Sequence, residues 1–355
     1  MDKHRIEVIK VAHCFVLLWI KASGVQKDLH RARTLHTISL GKGLFPQDVC
    51  ISNALLTLYF KCTAIKEAEN LFEKINIRNV VSWTALISGY VQSGLYDEAL
   101  NGFRLMQSGG FSPNSVTFSC VLKACGVIGA IEKGQILHAE ITRRGLEVDL
   151  VVGNSLIDIY ANSGMLMEAS EVFWHLLARD IVSYTALLSG YAQSGESEGV
   201  LNVLNTMTED KEHPNPITFL SVLNACSHSG LVDVGQVYFE AMQEVYDMIP
   251  DVEHYMCMID IFGRAGQLEE AIEIIEKMPF HPNLLSCHSL LGACRKWNDA
   301  NLGKRVFEHA MSLDENDAAV YICMHNIYAD TSNTNFCLQD IVGEKTCQID
   351  CLYST

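Results

Sequence analysis

The chain has 355 residues, 49% of them hydrophobic, with a formal net charge of −16. That length exceeds what one compact hydrophobic core usually serves. The charge opposes a phosphate binder, because neutralising phosphates supplies most non-specific nucleic-acid affinity. Thirteen cysteines are scattered along the chain, several on predicted apolar helix faces (Cys120, Cys125, Cys226, Cys257). They read as buried, reduced thiols rather than a disulfide framework. The apolar run Phe15–Ile20 is closed by Lys21, too short to span a bilayer, and reads as a core helix.

In chain order, residues 1–12 are a short leader, too few to serve as a transit peptide, which places the true start upstream. From His13 the chain tiles without gaps into units 13–48, 49–79, 80–114, 115–149, 150–180, 181–215, 216–251 and 252–283. The clearest is VVSWTALISGYVQSG from Val80, which returns as IVSYTALLSGYAQSG from Ile181. The two differ only at Val80/Ile181, Trp83/Tyr184, Ile87/Leu188 and Val91/Ala192, each a swap within one chemical kind. Self-similarity at a fixed period points to a repeat architecture.

Within the unit from Val80, Trp83, Leu86, Ile87 and Tyr90 fall at helical spacing and form one apolar stripe. Gln92-Ser93-Gly94 breaks that helix. A second helix follows, with Asp97 and Glu98 in its first turn and Ala99, Leu100, Phe103 and Met106 on one face. Such a hairpin carries too large an apolar face to bury alone, so neighbours must stack on it. Beyond the array come a helical segment at 284–317 and a shorter one at 318–330. Residues 331–355 are polar and without periodicity, and read as a frayed or disordered tail; the abrupt loss of pattern points to truncation or a shifted reading frame. Charge is uneven: residues 1–43 carry +5, 44–298 carry −15 and 299–355 carry −6.

The alternation of full, long and short units, with S-[WY]-T-A-L-[IL]-S-G-Y, V-L-[KN]-A-C and G-R-A-G-Q-L-E-E-A, resembles plant pentatricopeptide repeat proteins of the PLS subclass. Residues 284–317 resemble that subclass's E-type motif through Ser289-Leu290-Leu291-Gly292-Ala293-Cys294-Arg295, although the usual Trp is replaced near Cys287. Residues 318–330 resemble part of a second E-type motif through Asn326-Ile327-Tyr328-Ala329. The resemblance implies an all-α, right-handed superhelical solenoid of helix-turn-helix repeats, with single-stranded RNA bound along its concave surface.

Helical-repeat RNA readers present two or three side chains per unit to one unstacked base. In this family the reading positions are the fifth and last residues of a unit. The resemblance therefore implies adenine for Thr84 with Asn114 and for Thr185 with Asn215. It implies a pyrimidine for Asn53 with Asn79 and uracil for Asn154 with Asp180. Ser119 with Asp149 points to guanine, although long repeats of the family follow the code poorly. Leu220 with Asp251, and Met256 with Asn283, yield no assignment. A purely structural role is equally available to these residues, since Asn, Asp, Ser and Thr all favour helix caps.

Chemistry of its own is not expected of the chain. His138-Ala139-Glu140 has the His-x-Glu form of zinc deaminases, but no Cys-x-x-Cys follows it and no Gly-x-x-x-x-Gly-Lys-[Ser/Thr] loop is present. His138 therefore reads as structural, and no metal or other cofactor is implied. The resemblance further implies a site-recognition factor for C-to-U RNA editing in a mitochondrion or chloroplast. Lacking a DYW deaminase domain, it would recruit a deaminase in trans, together with small accessory editing factors. The rival reading is a protein-binding scaffold or truncated product without an RNA target, which the acidic charge favours. Lys and Arg along the inner face would support RNA; a uniformly acidic groove would support the scaffold.

Overall fold

The computed structural model describes residues 28–279 and 284–330, and among them the chain forms eighteen helices and no strand. The run Phe15–Ile20, the leader, Asn283 and residues 331–355 lie outside the described residues. From Val49 the helices come in pairs. First helices span Val49–Lys61, Val80–Gln92, Ser115–Val127, Leu150–Asn162, Ile181–Gln193, Pro216–Ser229, Val252–Ala265, Leu284–Trp297 and Ala318–Asp330. Second helices span Leu29–Gly41, Ile65–Lys74, Tyr96–Ser108, Ile131–Arg143, Leu166–His175, Ser197–Glu209, Val232–Glu244, Leu268–Lys277 and Ala300–Leu313.

Local chemistry explains where the first helices start. Asp48, Asn79, Asn114, Asp149, Asn215 and Asp251 are each N-caps whose side-chain oxygen accepts backbone N–H groups of the first turn. Such a cap is worth about 1 kcal/mol. At Asn79, Asn114 and Asn215 the third helical residue, Ser82, Thr117 or Thr218, bonds back to close a capping box.

The chain divides into two compact parts, residues 1–187 and 188–355. In the first part the helix Val49–Lys61 packs on Val80–Gln92, that on Ser115–Val127, and that on Leu150–Asn162. In the second part Pro216–Ser229, Val252–Ala265, Leu284–Trp297 and Ala318–Asp330 follow the same scheme. Within each part first helices also pack on their own second helices, as Val80–Gln92 does on Tyr96–Ser108 and Pro216–Ser229 on Val232–Glu244, whereas successive second helices do not pack on one another to a comparable degree. First helices are thus flanked on several sides and apolar around much of their circumference; Val49–Lys61 buries Ile51, Leu55, Leu56, Leu58, Tyr59 and Phe60. Second helices keep one apolar stripe, such as Ala99, Phe103 and Met106.

A ring at the twenty-fourth position of a unit packs on the fourth residue of the next. The pairs are Phe72–Trp83, Phe103–Phe118, Phe173–Tyr184, Phe239–Tyr255 and Phe307–Tyr321, with centroids 4.9–5.9 Å apart. Where that fourth residue is small (Ser52, Gly153), the twenty-fourth position holds His36 or His138. The imidazole then lies 2.9 Å from the hydroxyl of Tyr59 or Tyr160. Burial pushes the pKa of both histidines down, as expected for neutral rings held in a junction.

Candidate nucleic-acid interface

The last residue of a unit stands at the start of the next first helix, and the fifth lies one turn inside its own. The structure therefore gives Asn79, Asn114, Asp149 and Asn215 the capping role outright. Asp180 makes the same contacts, accepting from the N–H groups of Val182 and Ser183 at 3.1 and 3.0 Å. Capping does not use up these side chains. Asn79, Asn114 and Asn215 accept through Oδ1, which turns the Nδ2 donor group away from the helix. An Asp in the same place has only acceptors to offer.

Two of the pairs are joined by hydrogen bonds. Asn154 Nδ2 donates to Asp180 Oδ1 at 3.0 Å, and the Ser183 hydroxyl donates to Asn154 Oδ1 at 2.6 Å. Burial opposes ionisation of Asp180, yet bonds from the Ser183 N–H, the Asn154 amide and the Ser183 hydroxyl hold its carboxyl below the usual range. Thr84 and Asn114 are joined through Thr117, whose Oγ1 lies 2.7 Å from Thr84 Oγ1 and donates to Asn114 Oδ1 at 2.8 Å. The other pairs are not joined in this way. Ser119 lies 2.6 Å from the hydroxyl of Ser155, while Asp149 accepts from Ser115 at 2.7 Å. The hydroxyl of Thr185 donates to the Ile181 carbonyl. Asn53 is 8% exposed, and its Oδ1 has no hydrogen-bond partner among the described residues; an orphaned buried acceptor calls for an explanation. Of the unassigned positions, Leu220 and Met256 are half-buried and Asp251 pairs with His254 at 2.5 Å.

Beside these pairs stand exposed side chains that the sequence reading missed. The second residue of several units is exposed and aliphatic: Val81, Val116, Val151, Val182 and Ile217 are 50–55% exposed and Leu285 is 60% exposed, with Cys50 and Glu253 at that position in units 49–79 and 252–283. Recurrence of Val or Ile at that position was visible in the sequence, but a β-branched residue in a helix reads as core until its neighbours are placed. Charge is also sorted by helix. The nine first helices carry four acidic and five basic side chains, whereas the nine second helices carry nineteen acidic and ten basic. The aspartates at the starts of first helices, Asp48, Asp149, Asp180, Asp251 and Asp317, add acid beside the pairs.

The His-x-Glu triplet does not belong to a metal-ligand cluster among the described residues. No group of three or more His, Cys, Asp or Glu side chains there is placed to hold a metal ion. Glu140 of the His-x-Glu triplet binds Gln107 and Arg144 instead of facing His138 across a site. The nine described cysteines are free. Burial pushes the thiol of Cys226 up to about 11 and those of Cys257 and Cys294 to about 12, which suits inert core residues. No described helix is long and apolar enough to cross a membrane.

Comparison with known proteins places this geometry. The profile of the PPR repeat family matches residues 78–126 and 179–228, and that of the PPR repeat matches 154–181, 217–245 and 253–280. The chain is a pentatricopeptide repeat protein. One pentatricopeptide repeat-containing protein of Arabidopsis thaliana is 38% identical over 292 residues, covering 82% of this chain and 37% of the relative. A second is 36% identical over 314 residues, covering 88% and 53%. A third, named as mitochondrial, is 33% identical over 318 residues, covering 89% and 46%. The pentatricopeptide repeat chain thus spans about half the length, or less, of these curated relatives. Among solved structures it is similar to the pentatricopeptide repeat protein PPR10 in complex with an 18-nt psaJ RNA element, with a TM-score of 0.69 and 18% identity over 84% of this chain and 45% of that one. At that identity the likeness establishes the helical-hairpin solenoid fold.

Proposed function

We propose that this pentatricopeptide repeat protein binds one stretch of single-stranded RNA along the face of its first helices, one base per unit. The observation that carries the reading is the in-phase recurrence of a polar pair beside an exposed aliphatic side chain. The aliphatic side chains offer surfaces on which bases can stack, and the pair meets the base edge. Cap geometry supplies a rule for that edge. An Asn whose Oδ1 caps a helix presents its N–H₂, which suits a base with a ring-nitrogen acceptor, adenine or cytosine. A capping Asp presents an acceptor, which suits a ring N–H, guanine or uracil. The pairs then spell pyrimidine, A, G, U, A across units 49–79 to 181–215. The bound structure of PPR10 supports the reading by analogy of fold.

Its role, on this proposal, is to select a site for C-to-U editing, with residues 284–330 recruiting a deaminase in trans and accessory editing factors joining the complex. Organellar residence, in a mitochondrion or chloroplast, is supported by relatives named as mitochondrial. The scaffold alternative draws on the acidic second helices, which carry nineteen of the acidic side chains.

Binding of the purified chain to a short single strand containing the core, against a copy with both adenines changed to guanine, tests the reading at stated salt. The adenine strand should bind more tightly, and Asn114→Asp with Asn215→Asp should reverse the order. Absence of binding to either strand at moderate salt removes RNA recognition from this chain.

A further inference from the structure

The segment 284–317 lies beyond the residues that the repeat profiles match, yet it reproduces the reading register. Its fifth residue is His288 and its last is Asp317. Asp317 donates nothing and caps the next helix by accepting from Ala319 N–H at 2.8 Å through Oδ1. Its Oδ2 accepts from His288 Nε2 at 2.8 Å. That is the arrangement of Asn154 and Asp180, one carboxylate serving both the helix start and the fifth side chain. Its second residue, Leu285, is aliphatic and exposed (60%), as Ile217 is at the same position of unit 216–251.

A cavity of about 250 Å³ opens at this unit, lined by His288, Ser289, Gly292, Asp260, Arg264 and Lys296 among others. Its floor is small-residued, which leaves room for a planar group. Its rim carries an ion pair, Arg264 Nε with Asp260 at 2.8 Å, and the Lys296 ammonium, which donates to the Arg264 carbonyl at 2.9 Å. Arg264, Arg295 and Lys296 are three of the five basic side chains on all first helices.

We propose that the 284–317 unit reads one further base of the bound RNA through His288 and Asp317, with Arg264 and Lys296 facing that nucleotide's phosphate. The inference rests on the proposed RNA reading of the preceding units. In the Nε2–H tautomer that donates to Asp317, Nδ1 is an acceptor, and it has no partner among the described residues. A pair made of acceptors selects an edge made of donors, and guanine presents N1–H and N2–H₂ side by side.

The test uses four RNAs identical in the core and differing only at the third base beyond the adenine read by unit 181–215. The full chain should bind the guanine strand on the order of tenfold more tightly than the others. His288→Asn recreates the pair of unit 150–180 and should move the preference to uracil, a gain that misfolding cannot mimic. Arg264→Ala with Lys296→Ala should weaken all four strands alike. Equal binding of the four strands, with the Asn114 and Asn215 readout intact, overturns this inference alone. Loss of all RNA binding by the unaltered chain removes it together with the reading it rests on.

Discussion

Thr63 holds a backbone conformation that its side chain disfavours. It occupies the fifteenth position of its unit, with φ of 57°, in the turn between two helices. Glycine fills the same position at Gly94, Gly129, Gly164, Gly195, Gly230 and Gly266, all at positive φ, and Asn298 fills it once more. A β-branched residue there costs roughly 1–2 kcal/mol, part of which glycine would return as lost chain entropy. Thr63→Gly should therefore raise stability by about 1 kcal/mol in chemical denaturation; an unchanged or lower midpoint would show that the turn tolerates Thr without strain. The same scale explains why capping and recognition are compatible at Asn114 and Asp180. A side-chain amide or carboxylate has more hydrogen-bonding capacity than a cap uses.

Between helices, the decisive feature is how closely the first helices approach. A Cβ built on Gly89 would lie 2.1 Å from the ring of Phe60, in the interface of Val49–Lys61 with Val80–Gln92. Phe60 is itself buried and meets Tyr90 edge-on at 5.5 Å, so the ring has no free direction in which to yield. Gly89→Ala should cost about 1–3 kcal/mol, the range for overpacking a filled interior. Gly102, in the helix Tyr96–Ser108, is the contrast. Its Cβ would stop 3.4 Å from Ile87, so Gly102→Ala should gain up to about 1 kcal/mol from helix propensity. Urea midpoints of the two variants, measured together, separate close approach from a general intolerance of alanine. The His–Tyr junctions belong to this scale too. His36 and His138 recur in phase because Ser52 and Gly153 leave no ring for a phenylalanine to meet.

For the whole chain, net charge and the charge of the working face have separate origins. Nineteen acidic side chains sit on the second helices, which are amphipathic and keep a solvated side; the first helices carry few charges of either sign between their capping aspartates. Affinity for RNA should then arise from stacking and base-edge hydrogen bonds more than from counterion release. A single strand loses about 0.7 in slope per phosphate contact. With five basic side chains on the first helices, the slope of log affinity against log salt should be about −3.5 or shallower. A steeper measured slope would place the phosphates against other parts of the molecule.

The helical pairing was legible from residues alone, because the 3.6-residue stripe of Trp83, Leu86 and Ile87 and the break at Gly94 are local signals. So were the polar residues at unit ends, since a cap is written within three residues of the helix it starts. What needed tertiary structure was every property set by neighbours from another unit. The exposure of Val81, Val116 and Val151 depends on which helix covers them. The joining of Thr84 to Asn114 passes through Thr117 of the next unit, and the excess of acid on second helices follows from which helix is enclosed. The likeness of His288 and Asp317 to Asn154 and Asp180 appeared only when the carboxylate was seen capping one helix while bonding to another. Sequence determines local backbone preference, whereas burial and partnership across units are decided by packing, which no single unit contains.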